Sequence, residues 1–229
     1  MRNYYADQLN SSGLMEVYQT EIKRVAGFLE AEIDFVRKRL TGSENVLELG
    51  AGYGRIMKAL SGSCRSITGI DIAEASVELG KEYLKDCPNC QLYCMDAFHM
   101  NLESGFDTVL CLQNGLSAIK GGETRKLMDH TMKLLKDNGT AYFSSYSPKF
   151  WAYRLEWFRE QARKGLIGEI DPDRTKDGNI VCKDGFTART IPEAEFESLG
   201  RYTGCPFEIT EVDESSIFLI IIHDKVVSG

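Results

Sequence analysis

A chain of 229 residues is long enough for one sizeable core with a small attached element. Its 34 acidic and 27 basic side chains leave a net charge of −7, without the basic footprint of a nucleic-acid binder, so no nucleic-acid partner is expected. No apolar run nears the ~20 residues of a membrane helix, and the opening MRNYYADQLN lacks a signal-peptide core, so the expected compartment is the cytoplasm, with no membrane partner.

In chain order, Ile22, Val25, Leu29, Ile33, Val36 and Leu40 recur at steps of three and four. That spacing predicts one or two amphipathic helices over 14–40, closed by TGSE. Alternation follows: NVLELG reads as a strand, YGRIMKALSG as a helix, SITGID as a strand and AEASVELGKEYLKD as a helix. QLYCMD and FDTVLCLQ read as strands, and GETRKLMDHTMKLLKDNG as a helix stopped by Asn138-Gly139. TAYFSSY is the fifth strand. FEITEV and SIFLIIIHD, parted by a few polar residues, predict an antiparallel hairpin.

Residues 147–192 interrupt this order. SPKFWAYRLEWFREQARKG predicts a helix with Trp151, Leu155, Phe158 and Ala162 on one face and Phe150, Tyr153 and Trp157 on a second. TKDGNIVCKDGFTART holds two Asp-Gly turns around NIVC, a hairpin signal. The expected fold is therefore α/β: a doubly wound, mostly parallel seven-stranded sheet with a C-terminal antiparallel hairpin, N-terminal helices and a small inserted α+β cap. Within one domain, residues 1–42 are expected to form a helical lid, 43–146 the core, 147–192 the cap, and 193–229 a helix and hairpin completing the sheet.

The seven cysteines read as reduced thiols. In CPNCQLYC, Cys87, Cys90 and Cys94 lack a second pair at zinc-ligand spacing, so they are read as incidental to a Pro-Asn turn and no metal is expected.

The chemistry concentrates in NVLELGAGYGR. The first strand carries one acid, Glu48, and the turn after it, Gly50-Ala51-Gly52-Tyr53-Gly54, is stripped of most side chains so that a ligand can approach the backbone. Arg55 stands where a dinucleotide fingerprint has its last glycine, which disfavours a nicotinamide-dependent dehydrogenase. Asp71 ends the second strand, where a carboxylate accepts both hydroxyls of a ribose. Asp96 ends the third, placed for an adenine amino group with Phe98 near the ring. Glu48 suits a cationic ligand and not a polyphosphate.

In order and spacing, VLELGAGYGR, GIDIAEASVELGKEYL, MDAFHM and FDTVLCLQN resemble the successive motifs of the class I S-adenosylmethionine-dependent methyltransferases. The resemblance covers about 45–146 and implies S-adenosylmethionine as cofactor. It implies a loop, Gly50 to Arg55, packing on the methionine and ribose portions, with Glu48 ordering the methionine end. Asp71 would hold the ribose, Ile72 would pack on adenine, and Asp96 and Ala97 would meet its edge. Leu112, Gln113 and Asn114 would pass near the methionine portion, with Asn114 also facing the acceptor.

CLQNGLSAI resembles the CLGNSFAHL of small-amine methyltransferases, but the histidine of that pattern falls on Ala118, so the amine substrate does not carry over. Neither NPPY nor a Pro-Cys dipeptide is present for base methylation. The candidate catalytic residues are His99 and Tyr146. Asn114, Tyr146, Trp151, Tyr153 and Trp157 are the candidate acceptor residues, on a cap that selects the acceptor together with N-terminal Tyr4, Tyr5 and Tyr18 while the glycine loop binds cofactor without them. The expected function is methyl transfer to a small molecule. Methylation of RNA or protein and a non-catalytic cofactor-binding relative are the alternatives, and the oligomeric state is open.

Overall fold

The computed structural model describes residues 11–119 and 122–224. Tyr4 and Tyr5 lie outside the described residues. Helix α1 (Ser11–Val17) and helix α2 (Lys23–Arg37) precede the first strand. Then come β1 (Asn45–Leu49), α3 (Arg55–Leu60), β2 (Ser66–Asp71), α4 (Glu74–Tyr83), β3 (Cys90–Cys94) and β4 (Phe106–Cys111). Helix α5 (Thr124–Leu134) leads into β5 (Leu135–Tyr146).

Among the described residues, seven strands form one sheet in the order β3-β2-β1-β4-β5-β9-β8. The first five strands pair in parallel, while β9 (Ser216–Ile222) lies antiparallel between β5 and β8 (Phe207–Val212). The chain winds one way from β1 through β2 to β3, then the other way from β4. The switch falls between β1 and β4, and such sheets bind ligands beyond the carboxyl ends of the strands there.

Successive side chains of β1 feed opposite layers. Leu47 and Leu49 join β4, α5 and the later helix α7 (Glu193–Thr203) through Val109, Met128 and Phe196. Val46 joins α2, α3 and α4 through Ile33, Met57 and Val77. Glu48 shares the second parity, so its carboxylate is buried beneath α2 and α3.

One boundary differs from the expectation. Helix α5 stops at Leu134, and LKDNG belongs to β5. Leu135 is buried and pairs with Phe106, and regular pairing resumes at Thr140 opposite Thr108 after a register shift. Asn138 takes a left-handed φ of 63° as its amide bonds the His223 carbonyl at 2.7 Å. The Asn-Gly pair thus bends a strand start instead of ending a helix.

In the cap, α6 (Trp151–Arg163) is followed by the hairpin β6 (Ile180–Val181) and β7 (Thr187–Ala188). The buried face of α6 is Arg154, Trp157, Phe158 and Gln161, a mixture that differs from both predicted apolar faces. Arg154 is fully buried and donates to the carbonyls of Gly178 and Ala188, both at 2.8 Å, and to Thr190 Oγ1 at 2.6 Å. Its guanidinium also lies 4.2 Å from the Tyr146 ring centroid. One side chain therefore ties the hairpin to its helix. All seven cysteines are free, and among the described residues no helix is long and apolar enough to cross a membrane.

Arg154→Met keeps bulk but removes three charge-assisted bonds, although Gly178 O keeps Thr190 N and Thr190 Oγ1 as donors. We expect a loss of about 3 kcal/mol, since bonds to charged donors contribute ~1.5–3 each and partial relaxation recovers some. Thermal melts should fall by roughly 6–12 °C, with early proteolysis in 165–190; a parental melt would show that the hairpin holds by apolar packing alone.

Candidate functional site

The chain leaving β1 wraps the end of β2: the amides of Gly50 and Ala51 both bond Ile70 O, at 2.9 and 3.0 Å. Gly50 and Gly54 have φ of 73° and 85°, which side-chain-bearing residues rarely adopt. They serve differently. A Cβ on Gly54 would meet Leu84 Cδ1 at 2.6 Å, whereas one on Gly50 would meet open space. Gly54 is a packing and turn requirement, and Gly50 leaves backbone accessible.

Glu48 is 3% exposed and, among the described residues, its Oε2 has no hydrogen-bond partner. Arg55, at the start of α3, has Nε and Nη2 buried and likewise without partners. Its guanidinium lies 4.5 Å from the Tyr18 ring centroid. Burial pushes the Glu48 carboxyl up to about 8; the Arg55 charge pulls it down and Asp71 adds to the rise. An acceptor and two donors thus lie buried within electrostatic reach of each other, incompletely used.

Asp71 accepts from Gly52 N and Ala73 N, each at 2.8 Å, and ties the glycine loop to the turn after β2. Burial raises its carboxyl despite these amides. Ile72 beside it is half exposed, an apolar ledge at the mouth. Asp96 accepts from Phe98 N at 2.8 Å and contacts His99 Nδ1 at 3.0 Å. The His99 side chain is 77% exposed and faces solvent. Ala97 and Phe98 pack partly against the core.

At the end of β4, buried Leu112 precedes Gln113 and Asn114, both in the left-handed region with φ of 53° and 65°. Asn114 is 5% exposed, and its amide group is engaged on both sides. Its Nδ2 donates to Arg189 O at 2.8 Å and its Oδ1 accepts from Ser145 Oγ at 2.7 Å. Asn114 therefore joins the corner to the segment after the cap hairpin.

The aromatic candidates do not converge. Tyr153 is 44% exposed and stacks on Phe150, while Trp157 is buried against Phe28 and donates from Nε1 to Val17 O at 3.1 Å. Tyr146 is buried, and Trp151 is partly buried against the same cluster. The loop is also not separate from the N-terminal helices. Leu14 of α1 sits over it: Leu14 Cδ2 is 2.8 Å from where a Gly52 Cβ would stand.

Sequence reasoning missed Glu32. This fully buried side chain of α2 accepts from Gln113 N and Ser144 Oγ at 2.8 Å and from Ser216 Oγ at 2.5 Å. The available signal was spacing: Glu32 lies four after Phe28 and four before Val36, on the stripe that packs inward.

Residues 46–139 match the family described as methyltransferase domain. That stretch carries the match to a methyltransferase domain, and the likeness to solved S-adenosylmethionine-dependent enzymes is one of fold. The ubiquinone biosynthesis O-methyltransferase of Coxiella burnetii (strain RSA 493 / Nine Mile phase I) is 23% identical over 124 residues, covering 53% of this chain and 52% of that protein. A malonyl-(acyl-carrier protein) O-methyltransferase 1 from Ilyobacter polytropus is 29% identical over 150 residues, 64% of this chain and 51% of that protein. The chain spans about half the length of these curated relatives. The magnesium protoporphyrin IX methyltransferase of Synechocystis PCC 6803, solved with S-adenosylmethionine bound, has a TM-score of 0.66 at 16% identity, covering 97% of this chain and 95% of that one, a likeness of fold. The methyltransferase domain so matched ends at Gly139, so the cap lies outside it.

Glu48 titrates higher folded than unfolded. Its contribution to stability is full below the usual carboxylate range and is lost as pH rises through about 8. Glu48→Gln should therefore flatten the decline in unfolding free energy between pH 5 and 8, by up to about 1.4 kcal/mol per pH unit. Parallel pH profiles for parent and variant would contradict the burial argument.

Proposed function

We propose that this chain transfers a methyl group from S-adenosylmethionine to a small-molecule acceptor. The observation that carries the reading is the buried Glu48 acceptor within electrostatic reach of the two buried Arg55 donors, all without partners among the described residues, with the accessible backbone of Gly50 between them in sequence. An amino-acid end bears one ammonium and one carboxylate, the complement of that pair. Asp71 supplies carboxylate oxygens for a ribose, and Ile72 supplies an apolar ledge for a base. The residues fit the cofactor.

When bound, the cofactor supplies a methyl made electrophilic by a positively charged sulfur. The chain's own groups bind, orient and exclude water. Glu48 and Arg55 fix the amino-acid end, and Asp71 fixes the other end of the ligand while anchoring the loop. Leu14 and Tyr18 cover the loop from α1 and the turn after it. Holding two reactants in line can remove about 7–11 kcal/mol of the barrier. The small-molecule reading is supported by the net charge of −7 and by a cap packed onto the end of the sheet, where a macromolecule would need an open platform. The relatives are named O-methyltransferases, so oxygen acceptors are the first to screen.

Titration calorimetry should detect binding of S-adenosylmethionine and its demethylated product, and none of a nicotinamide dinucleotide. Affinity should rise from pH 6 to about 8, because a ligand ammonium favours ionised Glu48 and binding then releases a proton. Arg55→Lys, which keeps the charge but loses the fork, should weaken binding by about tenfold. Tight dinucleotide binding, or cofactor affinity indifferent to Arg55, would end this reading.

A further inference from the structure

Two consecutive non-glycine residues at positive φ are an uncommon corner. Each such residue costs about 1–3 kcal/mol and persists only where its surroundings impose it. Gln113 and Asn114 form this corner at the carboxyl end of β4, beside the strand that carries Glu48. Three sets of bonds hold it. From above, Asn114 is gripped by Arg189 O and Ser145 Oγ, and Ser145 Oγ in turn accepts from Ile191 N at 2.8 Å. From the side, Asn114 N donates to Ser144 O at 3.2 Å, and Gln113 Nε2 reaches Leu29 O at 3.4 Å. From below, the Gln113 amide is shared between Ser144 Oγ at 2.7 Å and Glu32 Oε2 at 2.8 Å.

The last set is the costly one. Glu32 is fully buried, and a carboxyl in that position is kept only if its hydrogen bonds are well made. Burial pushes it up against the bonds from Ser216, Ser144 and Gln113 and the charge of Arg55. Oε1 faces β9 through Ser216, while Oε2 faces β4 and β5 through Gln113 and Ser144. A single side chain from a helix outside the matched domain thus spans three strand ends and sets the backbone of the corner.

We propose that Glu32 is a positioning residue for methyl transfer: it holds the Gln113–Asn114 corner in the strained form that faces the reacting groups. The role is one of hydrogen-bond acceptance and not of net charge. It rests on the methyltransferase reading for its purpose, but the geometry it predicts is measurable without any acceptor.

The geometry makes a sharp distinction between variants. In Glu32→Gln the amide oxygen can still face the Gln113 N–H, with the amide nitrogen donating to a rotated Ser216 hydroxyl, so the corner should hold. Glu32→Leu removes the acceptor. By peptide-resolved hydrogen exchange, Glu32→Leu should speed exchange across 112–116 by about tenfold or more, with β1 and β2 unchanged, and Glu32→Gln should stay near parental rates. Affinity for S-adenosylhomocysteine should fall in Glu32→Leu, because Leu112, Gln113 and Asn114 pass near the methionine portion, and should stay within about threefold in Glu32→Gln. On an acceptor found by screening, kcat should drop for Glu32→Leu and recover in Glu32→Gln. Should Glu32→Leu fail to fold, Ser144→Ala, which removes the second oxygen facing the Gln113 amide, should give the same local acceleration. Parental exchange at 112–116, acceleration spread over the whole sheet, or a glutamine variant as damaged as the leucine one would overturn the proposal. Failure of the parent to bind S-adenosylhomocysteine would count against the cofactor reading and leave the exchange result standing.

Discussion

A carboxylate buried inside a parallel sheet must be answered by charge, by hydrogen bonds or by protonation. Glu48 has that problem, and the site is organised around its incomplete solution. Arg55 is near enough to lower its carboxyl, but the arginine's Nε and Nη2 and the acid's Oε2 stay unused. Such atoms are costly for a fold and cheap for a binding site, because a ligand that satisfies them recovers the desolvation already spent. The glycine loop separates the two residues in sequence and turns the chain so that the Arg55 charge reaches Glu48.

Two buried acids, Glu32 and Glu48, share this region with the partly buried Asp71, and burial raises all three. They divide the labour. Asp71 holds the loop amides, Glu32 takes two hydroxyls and an amide, and Glu48, which meets the Met57 backbone, keeps Oε2 for something else. The N-terminal helices and the cap close over this arrangement as one layer. Trp157 hands its indole N–H to Val17 O, Thr20 reaches Glu160 at 2.7 Å, and Leu14 rests on the loop. The cap and the cofactor loop are therefore joined through α1 and the turn after it, where the sequence suggested two independent parts.

Strand alternation was legible because parallel strands buried on both faces are continuously apolar, and the hairpin because its turn is polar. The glycine loop, Glu48 and Asp71 were legible because each is an exception to its local pattern. Glu32 was not, since an acid at a helical position is usually solvated and only its partners on β5, β9 and the corner after β4 make it otherwise. The buried face of α6 was misjudged for a related reason: Arg154 and Gln161 face inward, which hydropathy periodicity ranks last. Asn138-Gly139 misled because a left-handed corner serves a strand start as readily as a helix stop. Trp157 and Tyr153 show the limit most plainly, lying one turn apart on one helix, one in the core and the other toward solvent.

The central claim is that Glu48 and Arg55 receive an amino-acid end. The most direct measurement compares S-adenosylhomocysteine with 5′-methylthioadenosine, which keeps the nucleoside and thioether but lacks that end. The account predicts that the parent binds S-adenosylhomocysteine at least about a hundredfold more tightly, as expected for two charge-assisted contacts, and that the gap shrinks sharply in Glu48→Gln and Arg55→Ala. Equal affinities for the two ligands, or a gap that survives both substitutions, would contradict it.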